Sequence, residues 1–491
     1  MGKYVLTIDQ GTTSSRVIIF DERGNIISKC LKQFKQIYPF DGAIEHDPLV
    51  IYEDVVELIL EALNQVNIDY SDIVGVGITN QRETTVLWDK ITGKPVYNAI
   101  VWQSNQSKDI CEDLRRRGYS NTIHKKTGLL INPYFSASKI KWILNNIDGV
   151  KELMESKRLA FGTIDSWLIY KLTGKHLIDY TNASRTMLFN IHTLKWDNEL
   201  LDLFGVDESI LPKVVDSNYN VGEITDERIS SKFKLNICSI LGDQEASLVG
   251  HACFHPGKLK ITYGTGSFML LNTGDIPFES DNGLLTTIAY SINGKVSYAL
   301  EGSVFVAGSA FQFIRDNLEI VKSLDDEEFT QKSSNGVVFV PALTGLGAPY
   351  WNSSSKGAIF GLTRATTKSD IAIATIDGVA LLNNDVLQTM KDDTGIEFSN
   401  ISVDGGASLN SYLMQKESDY TQNKITTIST SEATSLGAYY LVALNNGLIN
   451  SLEDIERLYK PIHTYSPKMS KKEVEEIKRK WKRAVYASME F

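Results

Sequence analysis

The chain has 491 residues, of which 42% are hydrophobic, 22% charged and 10% aromatic, and its net charge is −10 at pH 7. Such a chain can bury large cores without disulfide bonds, and its length alone predicts about three domains. The acidic balance argues against a nucleic-acid partner or an anionic membrane surface, because both are bound through basic patches.

The four cysteines lie far apart and form no Cys-x-x-Cys pair, which predicts reduced thiols in an intracellular protein. No stretch approaches the ~20 apolar residues that span a bilayer, and the first residues lack the apolar core of a signal peptide. We therefore expect a cytoplasmic protein without stable membrane insertion.

In chain order, the first predicted elements alternate between strands and helices. Residues 5–20 predict a strand, a tight Gly/Thr turn and a second strand. Apolar residues at helical spacing predict a helix from Asp54 to Asn64. The segment from Asp72 to Thr79 is typical of a buried strand that ends in a polar run, residues 80–83. This alternation is typical of α/β folds.

The second half of the sequence repeats the plan of the first. Residues 259–271 again predict strand, Gly/Thr turn and strand, and residues 400–407 correspond to residues 72–81. The duplication reduces the predicted number of domains to two, residues 1–250 and 251–491, with a central cleft and a boundary near residues 243–258. A mixed-charge amphipathic helix is predicted from Ser466 to Ala487.

The first Gly/Thr turn runs from Asp9 through Gly11 to Arg16 and carries several hydroxyl side chains. Backbone N–H and hydroxyl groups around such a turn form a concave nest that binds phosphate oxygens. Asp9, at the end of the preceding strand, is placed to face Mg²⁺ through water. An ordinary hairpin uses the same Gly and Thr residues, so the turn by itself leaves both interpretations open.

The second turn, Tyr263 to Ser267, is equally small and rich in donors, so the two turns together predict a polyphosphate held from opposite sides. Neither turn matches the P-loop pattern GxxxxGK[ST] or the dinucleotide pattern GxGxxG. The pair Gly405–Gly406, followed by Asn410, would let a flat ring approach the backbone, although a generic strand-to-helix turn looks the same.

Asp243 follows an apolar run, residues 237–241, and therefore lies at the carboxyl end of a predicted strand, where open α/β sheets bind ligands. A carboxylate there could accept the proton of an alcohol that attacks the γ-phosphorus of a nucleotide. A helix N-cap is the alternative role. His251 and His255 have the spacing of a metal-binding pair, but ordinary packing is favoured because no third ligand is evident.

Together these segments resemble the FGGY family of carbohydrate kinases nearly end to end, and within it the members that phosphorylate glycerol. Residues 134–146 and 357–377 are similar to the two family signatures. Further matching motifs lie at residues 9–16, 80–84, 98–103, 242–244, 302–308, 347–351 and 403–407. The resemblance implies an α/β fold with two actin/RNase H-like domains and a central interdomain cleft that takes ATP and glycerol.

The resemblance also implies site residues, each carried over by its motif. The side chains expected to hydrogen-bond the glycerol hydroxyls are Arg82, Glu83, Tyr134, Asp243 and Gln244, and those expected against its carbon atoms are Trp102 and Phe268. The residues expected at the phosphates are Thr12, Thr13, Ser14, Arg16 and Thr265, and those on the adenosine side are Gly308, Gln312, Gly406 and Asn410. Asp243 is the expected general base, and Mg²⁺ is expected beside Asp9 and Asp243.

The chemistry of these residue types agrees with a polyol site. Arg82 and Glu83 together supply the donors and acceptors that a triol needs, and an aromatic wall would exclude water as a competing acceptor. The alternative for Arg82 and Glu83 is an exposed ion pair worth under ~1 kcal/mol. Five positions depart from the family pattern without removing a named site residue: the run 104–106, Ser267 and Glu245.

The expected reaction is the phosphorylation of glycerol by ATP to sn-glycerol 3-phosphate, by in-line transfer, as a step of glycerol catabolism. A kinase of a pentulose or gluconate from the same family is one alternative. A polymerising or chaperone-like ATPase of the actin fold is the other, and it would need no polyol pocket. The resemblance further implies a homo-oligomer, either a dimer or a tetramer.

Overall fold

Two large mixed sheets, one from each half of the chain, organise this computed structural model, which describes residues 2–323, 333–352, 354–428 and 432–491. The strands of the first sheet are β1 (Tyr4–Gln10), β2 (Ser14–Asp21), β3 (Ile26–Gln33), β4 (Ile73–Asn80), β5 (Gly222–Glu223) and β6 (Asn236–Gly242). Those of the second sheet are β7 (Lys258–Tyr263), β8 (Ser267–Gly274), β9 (Leu285–Ile292), β10 (Lys295–Val304), β11 (Asn400–Gly405), β12 (Ile425–Ile428) and β13 (Pro461–Tyr465).

The two sheets share one plan. Their strand orders are β5-β6-β4-β1-β2-β3 and β9-β10-β8-β7-β11-β12-β13. In each, an antiparallel hairpin (β1–β2 or β7–β8) gains a third antiparallel strand on one side and two parallel strands on the other. Both predicted hairpins are therefore confirmed. The correspondence of residues 72–81 with residues 400–407 is confirmed as well, since β4 and β11 each lie parallel to the first hairpin strand.

Helices surround both sheets. They are α1 (Pro48–Asn64), α2 (Lys108–Arg116), α3 (Ser120–Thr127), α4 (Ser136–Asn146), α5 (Val150–Glu155), α6 (Ile164–Thr173), α7 (Tyr180–Ala183), α8 (Asn198–Phe204), α9 (Glu227–Ser230), α10 (Asp243–Gly250), α11 (Gly308–Gln312), α12 (Lys368–Thr394), α13 (Ser411–Thr421), α14 (Ala433–Asn445), α15 (Leu452–Leu458) and α16 (Lys471–Glu490). Short two-stranded pairings join Glu45–His46 to Ala99–Ile100, Val86–Asp89 to Leu159–Gly162, Leu177–Asp179 to Lys213–Val215, Phe189–Asn190 to Lys195–Trp196, and Val338–Val340 to Ala358–Phe360. Within the described residues, no helix is both long and apolar enough to cross a membrane.

The predicted helices differ from the observed ones mainly at their starts. α1 begins at Pro48, six residues before the predicted start, because the Asp47 side chain accepts the backbone N–H groups of Leu49 and Val50. α16 begins at Lys471 rather than Ser466, where Ser470 and Glu473 form a capping box. Cap chemistry, rather than apolar spacing, sets both boundaries.

Helices α10 and α14 lie between the two sheets. α10 follows the last strand of the first sheet and contacts β4 and β6 of that sheet as well as β7, β8 and β9 of the second, whereas α14 comes from the second half and packs on β1, β4 and β6 of the first. Residues of both helices and both sheets form one buried apolar cluster, which includes Val5, Ala246, Leu270 and Val442. The two sheets are therefore joined through these two helices.

Helices α10 and α14 touch at backbone distance where Gly250 and Gly437 meet. A Cβ atom on Gly437 would lie 1.8 Å from the carbonyl oxygen of Ala246, and a Cβ atom on Gly250 would lie 2.0 Å from that of Ala433. A side chain as small as a methyl group would collide with the opposite backbone at either position. Glycine is needed here for close approach rather than for an unusual φ angle.

A buried carboxyl group supports the second hairpin from behind. Glu417 of α13 is fully buried, and its Oε2 atom accepts a hydrogen bond of 3.0 Å from the hydroxyl of Tyr263, the last residue of β7. Asn383 of α12 donates to the same hydroxyl at 3.0 Å. Burial raises the pKa of Glu417 to about 8 from the usual 4.5, so this carboxyl group is protonated at neutral pH.

We expect Glu417→Gln to become more stable than the wild type as the pH rises. Because folding raises the pKa of Glu417, the native state binds more protons than the unfolded state between about pH 4.5 and 8. The free energy of unfolding therefore falls through that window by up to about 1.4 kcal/mol per pH unit, and glutamine removes this loss. The apparent Tm of both proteins, measured from pH 5 to pH 8.5, tests this; a difference that does not change with pH would contradict it.

Candidate active site

One face of the second sheet presents buried charges toward the first half of the chain. Lys260 on β7 and Glu301 on β10 both pair in register with Leu270 of β8, which packs with Ala246 of α10. Cross-strand neighbours share a face of the sheet, so the three side chains point to the same side. Lys260 is 0% exposed and Glu301 is 2% exposed. Charges buried this deeply require partners.

The first Gly/Thr turn has the hairpin geometry that the sequence predicts. The N–H of Gly11 donates to the carbonyl of Ser14 at 2.9 Å, which closes the turn between β1 and β2. The Thr12 hydroxyl accepts a hydrogen bond of 2.9 Å from Trp102 Nε1, and Thr13 is exposed. The expected phosphate side of the site thus contacts the expected polyol side directly.

Arg16 makes one ion pair within the first half and one with a residue of the second half. Its Nη1 atom lies 3.4 Å from Asp9 Oδ2 and donates to the carboxylate of Glu432, just before α14. Lys29 donates to the same carboxylate at 2.6 Å. Burial, with Glu432 and Asp243 nearby, raises the pKa of Asp9 to about 6 although Arg16 opposes the shift. The described structure therefore places Arg16 beside Asp9 and in an ion pair with Glu432 of the second half, and its phosphate contact stays a prediction.

Arg82 lies at the centre of a buried charge cluster. Its Nη1 atom donates to Glu301 Oε2 at 2.6 Å and to Glu245 Oε1 at 2.8 Å, and its Nε atom is 3.5 Å from Asp243 Oδ1. Arg82 is 2% exposed and Glu83 is 1% exposed. The alternative of an exposed surface ion pair for Arg82 and Glu83 is therefore wrong.

Glu83 connects to the same cluster through a residue that the sequence did not single out. Arg185, just after α7, donates from Nε to Glu83 Oε1 at 2.6 Å and from Nη2 to Glu301 Oε1 at 2.8 Å. Arg185 and Arg82 hold the pKa of Glu301 at about 2 against the opposing effect of burial. The backbone of Glu83 has φ of +58°, a left-handed conformation that is uncommon outside glycine.

Asp243 is the first residue of α10 and faces the cluster. Its carboxylate accepts the N–H of Gln244 at 2.7 Å, and 30% of its side chain stays exposed. Lys260 Nζ donates to Gln244 Oε1 at 2.5 Å. Burial raises the pKa of Asp243, although Arg82 and Lys260 act against the shift. Asp243 is thus the first residue inside the helix, whose N-cap is Gly242, so the N-cap alternative is wrong, and its side chain remains open to a reactant.

Aromatic side chains border this cluster. The rings of Trp102 and Tyr134 pack edge to face with centroids 5.4 Å apart, and the Arg185 guanidinium lies 5.7 Å from the Tyr134 ring centroid. Phe268 is half-buried on β8, two residues from Leu270, and so shares the sheet face of Glu301. The predicted polyol residues therefore occur at one place in the fold.

A cavity of about 290 Å³ in the second half contains the predicted adenosine residues Gly308, Gln312 and Gly406. Tyr263, Gly264, Phe311, Arg315, Val321, Ser323 and Ala407 complete its lining. A Cβ atom on Gly308 would lie 2.3 Å from the carbonyl oxygen of Gly264, so the second turn packs on the start of α11. Thr265 is exposed at this turn. Asn410 does not line the cavity; it caps α13 by accepting the N–H of Leu413 at 2.8 Å.

The Asp243 carboxylate lies near enough to Asp9 to contribute to the raised pKa of Asp9, after the larger effect of burial. Within the described residues, no group of three or more His, Cys, Asp or Glu side chains is arranged to hold a metal ion. His251 is buried with Nε2 3.5 Å from Asp404 Oδ2, whereas His255 is exposed beside Glu456. Packing is therefore the better account of both histidines.

Models of one family match both halves of the chain. The model of the FGGY family of carbohydrate kinases, N-terminal domain, matches residues 4–250, and that of the C-terminal domain matches residues 259–445. The chain is 49% identical over 496 residues to a glycerol kinase of Bacillus licheniformis, with 100% of both chains covered. It is 48% identical over 492 residues to glycerol kinase 2 of Thermotoga maritima, with 99% of both covered. It is also similar to the crystal structure of Plasmodium falciparum glycerol kinase with ADP, with a TM-score of 0.95, 35% identity, and coverage of 99% of this chain and 98% of that one.

Proposed function

The chain belongs to the FGGY family of carbohydrate kinases, and from this premise we propose that it transfers the γ-phosphoryl group of ATP to glycerol, which yields sn-glycerol 3-phosphate and ADP. Family membership confirms the resemblance and the fold of two actin/RNase H-like domains that were expected from the motifs. The observation that supports glycerol as the substrate is the full-length sequence identity of 48–49% to two glycerol kinases.

Recognition of glycerol is proposed for the charge cluster and its aromatic border. Arg82 offers N–H donors and Glu83 offers carboxylate acceptors, which suits a molecule whose hydroxyl groups both donate and accept. Tyr134 and Gln244 add one polar group each at the edge of this cluster, while Trp102 and Phe268 would cover the carbon atoms. Displacing water from such a site lessens hydrolysis of ATP, because water is itself an acceptor for the phosphoryl group.

Phosphoryl transfer is proposed to use Asp243 as the general base. Its carboxylate is partly exposed, beside Arg82, and has a raised pKa, so it can take the proton of the attacking hydroxyl group. Phosphoryl transfer has a loose transition state, so positioning and electrostatics outweigh the strength of the base. Thr12, Thr13, Ser14, Arg16 and Thr265 would hold the phosphates, and Gly308, Gln312, Gly406 and Asn410 would lie toward the adenosine.

The oxygen donors of Asp9 and Asp243 fit Mg²⁺, which commonly binds through one or two carboxylates, water and substrate phosphates rather than a complete protein cage. Mg²⁺, when bound, would neutralise negative charge on the phosphate oxygens. The four cysteines are unpaired and buried, which supports the proposed reducing, cytoplasmic location. A homo-oligomer, dimer or tetramer, is part of the same proposal and rests on the family resemblance.

ADP release with glycerol, xylulose, ribulose or gluconate as the acceptor tests the proposal. We expect glycerol to give the highest kcat/KM and ADP release without an acceptor to be much slower. Preference for one of the sugars would instead support the pentulose or gluconate kinase. ADP release that is indifferent to glycerol would support an ATPase of the actin fold.

A further inference from the structure

We propose that Arg185 and Glu301 are positioning residues that set the selectivity for the acceptor by holding Arg82 and Glu83 in place. This inference rests on the proposed function, because it concerns the glycerol pocket. Neither residue belongs to the set expected to touch glycerol.

Arg82 and Glu83, which are both expected to bind glycerol, do not hold each other's side chains in place. Arg82 Nε and Glu83 Oε1 are 3.8 Å apart, which is too long for a hydrogen bond. They are joined instead through Arg185, which donates to Glu83, and Glu301, which accepts from both arginines. The shortest hydrogen-bonded path between Arg82 and Glu83 therefore runs through Glu301 and Arg185.

Arg185 is suited to this task by its shape. Its guanidinium is 0% exposed and lies 5.7 Å and 5.3 Å from the ring centroids of Tyr134 and Phe135. From this one plane it reaches Glu83 at 2.6 Å and Glu301 at 2.8 Å. A lysine ammonium group is a point charge on a flexible chain and cannot reproduce a planar fork with two fixed directions.

Glu301 brings the second half of the chain into the acceptor site. Of the four residues Arg82, Glu83, Arg185 and Glu301, it alone lies on a strand of the second sheet. It takes two hydrogen bonds from Arg82, at 2.6 Å and 3.2 Å, besides the one from Arg185. The orientation of the Arg82 donors thus depends on the position of β10 relative to the first half.

Steady-state kinetics of Arg185→Lys and Glu301→Gln test this inference. We expect the KM for glycerol to rise at least ~10-fold in each variant, because displaced side chains of Arg82 and Glu83 would bind glycerol more weakly. The KM for ATP should stay within about twofold, because the nucleotide cavity is separate from the charge cluster. The inhibition constants of propane-1,2-diol and propane-1,3-diol, each lacking one hydroxyl group, should change less than the KM for glycerol. The preference for glycerol over at least one diol would then shrink.

Arg158→Lys is the matched control, since Arg158 pairs with Asp89 in the same half but at 40% exposure and outside the cluster. If Arg185→Lys does not fold, Glu301→Gln, which keeps the size of the side chain, carries the test alone. A KM for glycerol and a diol preference equal to the wild type would overturn the inference, as would equal losses for glycerol, ATP and thermal stability. If the wild type itself does not use glycerol, the proposed function has failed as well.

Discussion

Replacing Asp243 by asparagine is expected to lower kcat for glycerol phosphorylation by at least ~10²-fold, the usual contribution of a general base. The amide cannot take a proton from the attacking hydroxyl group, yet it keeps the size of the carboxylate. It can also still accept the N–H of Gln244 through its carbonyl oxygen. We therefore expect α10 to stay folded and the loss to appear in turnover rather than in stability.

The control for this experiment is Asp207→Asn. Asp207 caps a short helical turn in the same half, is 39% exposed and pairs with Lys157, outside the charge cluster. The same chemical change there should leave kcat unaltered. Turnover by Asp243→Asn close to that of the wild type would refute the role of Asp243 as the base.

Replacing Gly437 by alanine is expected to destabilise the protein by about 3 kcal/mol or more, at the upper end of overpacking effects. Inside an exposed helix the same change would stabilise by up to about 1 kcal/mol, so the predicted sign is opposite to helix propensity. The reason is the crossing with α10, where the new Cβ atom would lie 1.8 Å from the Ala246 carbonyl oxygen. Because α10 begins with Asp243, a shift of this helix would displace the proposed general base, so kcat should fall as well.

The apparent Tm and kcat of Gly437→Ala, beside those of Thr434→Ala, provide the measurement. Thr434 is half-buried on the same helix, one turn before the crossing, and its replacement by alanine removes atoms instead of adding them. An apparent Tm for Gly437→Ala at or above the wild-type value would show that the two helices can separate without cost.

Much of the fold could be predicted from the sequence because its signals are local. The Gly/Thr turns and the β-branched runs beside them predict both hairpins, and their repetition predicts two related sheets. The packing of α14 on the first sheet, and of α10 between both sheets, could not be predicted this way. An apolar helix face shows that a helix packs on something, but not which of two similar sheets it covers.

The residues of the candidate site likewise fall into those that local sequence signals predict and those that only the fold brings together. Arg82, Glu83 and Asp243 follow strands and belong to recognisable motifs, whereas Arg185 and Glu301 meet them across 102 or more residues of sequence. A signal was nevertheless present. Arg185 is the only charged residue in the run 181–191, and Glu301 is the only one in 296–314. A charge isolated in an otherwise uncharged run that folds into the interior needs a partner there, so such positions point to internal ion pairs.

The packing of α14 on the first sheet also decides when the nascent chain can close the apolar cluster that both halves share. The face of the first sheet under α14 includes Val5, Ile18 and Leu241, yet α14 ends only at Asn445. When residue 250 leaves the ribosome, these side chains still lack their cover. Each half also has a buried apolar cluster of its own, from Leu6 to Ile240 in the first and from Leu259 to Val485 in the second. The cluster that both halves share can close only after α14 has been synthesised, and cutting the chain between the two halves would leave that shared cluster open.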